Sequence, residues 1–185
     1  MKPVTKNKKV LIITYYWPPS GGAGVQRWLK FSKYLPEFGW DPVVFTPENP
    51  DVPVGDITLL GEISPRVQVL KMPIFEPSRV VSLFGKNMST SRMGASNKSR
   101  NKTSIIKGFI SWVRGNIFIP DARVTWVKPA VTYVNKWIRE NHIDAIITTG
   151  PPHSMHLIGL GVKKTYPELK WISDFRDPWS DMDYL

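Results

Sequence analysis

Three short stretches of this 185-residue sequence carry groups able to act on a ligand. The first is Trp17-Pro18-Pro19-Ser20-Gly21-Gly22-Ala23-Gly24. Its glycines let backbone amides come close to a ligand oxygen, because no Cβ intervenes. If a helix begins there, its exposed amides and positive dipole end favour a phosphate or a partially negative sugar oxygen. Ser20, Gly21, Gly22 and Gly24 form this candidate cradle; Arg27, one turn further on, can meet the anion or simply face solvent. The second stretch is Gly150-Pro151-Pro152-His153-Ser154, in which two prolines fix a turn just before a histidine. His153 there can exchange a proton or hydrogen-bond a hydroxyl near neutral pH, a purely structural imidazole being the alternative. Ser154 reads as a ligand contact or as no more than a helix cap. His156 reads as packed or exposed on the following helix, and His142 as a surface residue. The third stretch is Asp174-Phe175-Arg176-Asp177, whose carboxylates can orient hydroxyls and whose guanidinium can bind phosphate, or which can close on itself as an ion-pair network.

What is missing narrows the chemistry. Gly22 and Gly24 supply two glycines of a dinucleotide fingerprint, but Arg27 stands where the third would allow close helix packing, and no Gly-Lys-Ser/Thr follows. There is no Asp-x-Asp and no pair of histidines at helical spacing with a carboxylate, so no metal site is expected. Cysteine is absent, which excludes disulfides and thiolate centres. The apolar run behind the basic start is about seven residues, too short for a signal or a spanning helix, and the expected address is the cytoplasm.

The elements that must position these groups alternate. Val10 to Tyr16 reads as a buried strand, Gly24 to Phe38 as a helix stopped by Gly39, and Val43 to Phe45 as a short strand. Val67 to Met72 is a further strand, Val127 to Asn141 a helix and Asp144 to Thr148 a strand. A helix then runs from the Pro-Pro-His turn to Tyr166, and Lys170 to Ser173 forms the last strand. Residues 48–65 show turn chemistry and no period. Repeated strand–helix–strand units of this length imply an α/β fold with a parallel sheet covered by helices on both faces. In such sheets ligands bind outside the carboxyl ends of the strands, so the three stretches are expected to converge on one crevice.

The formal net charge of +10 is unevenly spread. Lys2, Lys6, Lys8 and Lys9, with Lys86, Arg92, Lys98, Arg100, Lys102, Lys107 and Arg114, lie in two acid-free stretches, and the rest of the chain is nearly neutral. Residues 85–104, rich in Ser, Asn, Lys and Arg, read as a flexible basic insertion. Behind it Ile105, Ile106, Phe109, Ile110, Val113 and Ile117 recur at helical spacing opposite Lys107 and Arg114, with Trp112 at the boundary. Such a helix can lie in an anionic membrane interface or pack its apolar face on the domain.

Taken together, YYWPPSGGAGVQRWLKFSKYLPEFGWDPVVFTP and TTGPPHSMHLIGLGVKKTYPELKWISDFRDPW resemble the amino-terminal, Rossmann-like domain of GT-B glycosyltransferases of the family 4 type found in bacterial surface-polysaccharide synthesis. The resemblance covers nearly the whole chain and is weakest across residues 48–120. It implies one acceptor-side domain over residues 1–185, whose donor-binding carboxyl-terminal partner domain is absent, so that this piece alone is inactive. It further implies sugar transfer from a nucleotide-sugar donor to a lipid-linked or polysaccharide acceptor, with retention and without a metal clamp or cofactor, at the inner face of the plasma membrane. By resemblance His153 contacts the transferred sugar, the Gly21-Gly22 loop approaches the donor diphosphate, and Asp174, Arg176 and Asp177 line the cleft floor; His153 and Asp174 are the candidate catalytic residues.

Two other classes fit parts of the sequence. One is a non-catalytic module recognising an anionic membrane or a nucleotide through its basic segments; nucleic acid is not expected, since the aromatics sit at core spacing with no stacking platform. The other, a nucleotide-dependent oxidoreductase or epimerase, is disfavoured by the broken third glycine.

Overall fold

Val10 and Ile12 point to one side of their strand and Leu11 and Ile13 to the other, and all four are buried in two separate clusters. A strand apolar on both faces belongs in the middle of a covered sheet. The computed structural model, which describes residues 7–76 and 119–176, places it there. This strand, β1 (Lys8–Ile13), pairs in parallel with β2 (Trp40–Pro47) and β4 (Ala145–Gly150). Outside them lie β3 (Gln68–Met72) and β5 (Lys170–Phe175), giving a five-stranded parallel sheet in the order β3-β2-β1-β4-β5. The fold is therefore α/β and Rossmann-like, as the alternation of elements implies.

Helix α1 (Ala23–Tyr34) buries Val25, Trp28 and Leu29 with Val10, Ile12, Val44 and Ile147 on one face. On the other, α2 (Val124–Glu140) and α3 (Ser154–Thr165) bury Trp126, Ala130, Val134, Met155, Ile158 and Val162 with Leu11, Ile13, Phe45 and Ile146. Close approach on that face depends on glycine: a Cβ at Gly159 would come within 2.6 Å of Thr148, and one at Gly161 within 2.5 Å of Val131.

Several boundaries differ from the periodicity. The α-helix ends at Tyr34, and residues Leu35–Phe38 tighten into a 3-10 turn, because Pro36 cannot donate to the helical ladder. Gly39, at φ 78°, then closes it as anticipated. β1 stops at Ile13 rather than Tyr16, β2 begins at Trp40, and α2 begins at Val124. A second 3-10 turn, Ile57–Glu62, capped by the Asp56 side chain, inserts Leu59 into the α1-side core. Its single buried residue left no period to read. The basic insertion, the amphipathic stretch with Lys107, Trp112 and Arg114, and Asp177 all lie outside the described residues.

The carboxyl edge on the α2 side is tied by a buried polar knot. The Tyr15 phenol meets the Glu76 carboxylate, while Arg123 Nη2 and the Asp51 amide donate to the phenol oxygen at 3.1 and 2.9 Å. Arg123 Nε lies 3.3 Å from Glu76 Oε2, and the Glu76 side chain is wholly enclosed. Burial, reinforced by the bond to Glu76, pushes phenol ionisation far above its usual range, so Tyr15 remains a donor. Tyr15→Phe leaves that enclosed carboxylate short of a donor, and the expected loss of about 1–3 kcal/mol is measurable by urea unfolding of the two chains. A loss below about 0.5 kcal/mol would show that the knot holds without the hydroxyl.

Candidate crevice at the carboxyl edge

The chain leaves β1 towards β2 over one face and leaves β4 towards β5 over the other. The connections therefore diverge between β1 and β4, and the crevice of such a sheet opens there. The glycine loop follows β1, the Pro-Pro-His turn follows β4, and Arg176 follows β5, so the three chosen stretches do reach one edge.

Each glycine of the first loop does a different job. Gly21 lies against the segment after β2: its amide donates to Val54 O at 2.9 Å, and a Cβ would meet Val54 Cγ1 at 3.1 Å. Gly22 takes φ 85° as the N-cap of α1, a conformation that favours glycine. Gly24 faces β5's loop, where a Cβ would lie 3.1 Å from Arg176 Nη1 and 3.2 Å from Tyr16 Cδ2. The start of α1 has no capping side chain and no acid in its own first turn, and a guanidinium lies beside it. Ser20 is buried, and its Oγ has no hydrogen-bond partner among the described residues, nor has the indole nitrogen of buried Trp17.

Asp174 is bound by three donors. Arg27 Nη1 donates to Oδ1 at 2.8 Å, and Trp28 Nε1 and Thr149 Oγ1 donate to Oδ2 at 2.9 and 3.0 Å. Its carboxylate thus joins α1, β4 and β5 through partners on other elements, whereas the alternative read from sequence was an ion-pair network closed within residues 174–177. Arg27, anticipated as an anion contact or a surface residue, is its partner.

His153 is the half-buried N-cap of α3. Ser154 caps nothing; its amide and hydroxyl both donate to Asp121, at 2.8 Å each, and the Arg123 amide donates to the same carboxylate at 2.9 Å. The α3 N-terminus therefore already holds a protein anion. Asp121 carries no sequence signal, because it stands 33 residues from its partner. His142 is exposed and lies 3.2 Å from Asp144, as a surface residue should.

His156, of which no more was expected than packing or exposure, lies beside His153. It is 7% exposed, with Nδ1 2.9 Å from Thr148 Oγ1, and it stacks on Phe175 at 4.2 Å between ring centres. A Cβ at Gly150 would lie 2.8 Å from both His153 Nδ1 and His156 Nε2, so the residue before the prolines must be glycine for both imidazoles to fit. Among the described residues no cluster of histidine and acidic side chains is arranged to hold a metal ion.

No protein-family model and no curated protein matches the sequence. Solved structures overlay on it. They include the C-terminal domain of a hydrogenase from Pyrococcus furiosus, at 16% identity and TM-score 0.44, covering 94% of this chain and 95% of that one. LpCGTa in complex with UDP overlays at 14% identity and TM-score 0.47, over 93% of this chain and 32% of that chain. UGT2 from Phytolacca americana, complexed with UDP-2fluoro-glucose and pterostilbene, overlays at 14% identity and TM-score 0.47, over 91% of this chain and 30% of that chain. The structural neighbours thus include UDP-glycosyltransferases, of whose chains this one spans about a third, and a protein named for another activity.

Burial, then the nearby His153, depresses the His156 imidazole from 6.5 to about 4, with Asp174 acting in the opposite sense. The folded value lies below the unfolded one, so the neutral ring contributes stability above pH 6.5 that is lost as pH falls towards 4. Urea unfolding at a series of pH values is expected to show His156→Phe, which keeps an aromatic ring against Phe175, losing on the order of 2–3 kcal/mol less than wild type across that interval. Parallel pH profiles would contradict the assignment.

Proposed function

We propose that this domain is the acceptor-side, amino-terminal half of a GT-B glycosyltransferase of the family 4 type. In this reading it moves a sugar from a nucleotide-sugar donor to a lipid-linked or polysaccharide acceptor in cell-surface glycan synthesis, with retention and without a metal clamp. The observation that carries the reading is the meeting, at the β1/β4 divergence, of an uncapped helix start, the Arg176 guanidinium against Gly24, and a histidine turn. The motifs that suggest the family from sequence, Ser20 to Gly24, Pro-Pro-His153 and Asp174-Phe175-Arg176, occupy those positions.

The roles follow from the chemistry of each group. The α1 amides and Arg176 suit the donor diphosphate, since both supply donors and positive potential. His153 suits the transferred sugar, as a hydrogen-bond or proton partner at the reacting centre. Asp174, whose oxygens serve Arg27, Trp28 and Thr149, acts in this reading as the brace of the cleft floor. Asp177 would extend that floor. A second domain brings most of the nucleotide contacts, and this half alone does not turn over, because positioning across two domains assembles the transition state.

In a complete enzyme carrying this domain, His153→Ala is expected to lower turnover by about 100-fold or more with the melting temperature unchanged. Wild-type turnover in that variant, measured by release of the donor's nucleotide, would remove His153 from the reacting centre.

The basic segments, with Lys107, Trp112 and Arg114, are proposed to hold the enzyme at the anionic membrane carrying its acceptor. Among the described residues no helix is long and apolar enough to cross a membrane. Flotation with vesicles containing anionic lipid is expected to carry the chain upward at low salt and to release it at high salt. Equal flotation with neutral vesicles would argue against an electrostatic anchor.

A further inference from the structure

We propose that His156 is a second ligand-contacting imidazole of this crevice, its Nε2–H donating to an uncharged oxygen, a pyranose hydroxyl, seated over Gly150 at the end of β4. The proposal deepens the sugar-transfer reading and rests on it. It follows from accounting for each hydrogen. The Trp171 indole can only donate, and its Nε1–H reaches Thr148 Oγ1 at 3.0 Å. The Thr148 hydroxyl has one hydrogen of its own, and in the proposed arrangement it is directed to His156 Nδ1, which lies 2.9 Å away. Nδ1 is then an acceptor, so the neutral ring carries its hydrogen on Nε2. That nitrogen is enclosed and has no hydrogen-bond partner among the described residues.

Buried donors without acceptors are rare in folded proteins, because nothing replaces the lost water. Here the donor is held in place by a dedicated chain, Trp171 to Thr148 to His156. Close packing at Gly159, where a Cβ would lie 2.7 Å from Trp171 Nε1, keeps that chain against α3. The donor also faces the right part of the fold: His156 Nε2 and His153 Nδ1 both lie 2.8 Å from where a Gly150 Cβ would stand. Burial keeps the ring uncharged near neutral pH, so it offers a hydrogen and not a cation.

The cover over this donor indicates the kind of ligand. Phe175 stacks on His156 with rings 28° apart, yet the residue is 53% exposed. An apolar ring face beside a fixed N–H is the pairing a pyranose uses, its C–H face on the aromatic and its hydroxyls on the polar group.

The test is histidine-labelled ¹⁵N spectroscopy of the 185-residue chain. From pH 6 to 8 His156 is expected to be neutral with its hydrogen on Nε2; the Nδ1–H form, or a charged ring, would overturn the proposal. Methyl pyranosides of the common hexoses and N-acetylhexosamines, added to millimolar concentration, are then expected to shift His156 Nε2 and the Phe175 ring with at least one sugar. That sugar should bind about tenfold more weakly to His156→Phe. If it shifts His153 and binds His156→Phe as tightly as wild type, the role of His156 is overturned and the sugar-transfer reading stands. If no pyranoside shifts either histidine, the site is not a sugar cleft and both fall. Thr148→Val supplies the same comparison should His156→Phe not fold: it removes the hydroxyl that fixes the tautomer and is expected to weaken the same sugar, while undiminished affinity would overturn the proposal.

Discussion

The divergence of the chain between β1 and β4 is the constraint from which the rest of this structure follows. A strand apolar on both faces must be covered on both faces, and right-handed crossovers then send one half of the chain each way. The two halves part at the carboxyl edge. The loops after β1 and β4 are therefore neighbours in space, although Gly22 and Gly150 are far apart in sequence. Ligand chemistry at that place is a consequence of topology before it is a property of any residue.

Topology leaves the loops adjacent but does not fix them; two carboxylates do. Asp174 ties the end of β5 to α1 and to Thr149 on β4. Asp121 ties the entry of α2 to the first turn of α3. Both accept from three protein donors, so neither needs a ligand to be satisfied. Glu76 serves the same end on the far side, held by Tyr15 and Arg123. Carboxylates so engaged brace the backbone around the edge.

The fold was legible in the sequence because its signals are local. The apolar run through Val10, the face of α1 and the glycine at position 39 each report on a few neighbouring residues. Boundaries were less legible where two local rules compete, as at Pro36, which ends a helix that the apolar pattern continues. At the site, residue types pointed to the right edge but not to the division of labour. Asp174 reads from sequence as a ligand contact or as part of an ion-pair network within its own loop, and only the fold brings Arg27 to one oxygen and Trp28 and Thr149 to the other. Asp121, Tyr15, Glu76 and Arg123 were not legible at all, since each acquires meaning from a partner dozens of residues away. His156 was visible yet undervalued: histidine at helical spacing is ordinary, and its significance depends on the Trp171–Thr148 chain and on Gly150, none of which spacing can reveal.

The inventory of groups at the edge bears on what chemistry it can support. Asp174 and Asp121 each accept from three protein donors, and the other polar groups at the edge include the α1 amides, the Arg176 guanidinium and the His156 imidazole. Donors converging on a sheet edge are complementary to oxygen-rich ligands, whether phosphate or hydroxyl, and unsuited to recognising cations or amines. In the proposed sugar transfer, displacement at a centre whose leaving group is already a phosphate ester needs mainly charge stabilisation and positioning, which donors at this edge would supply.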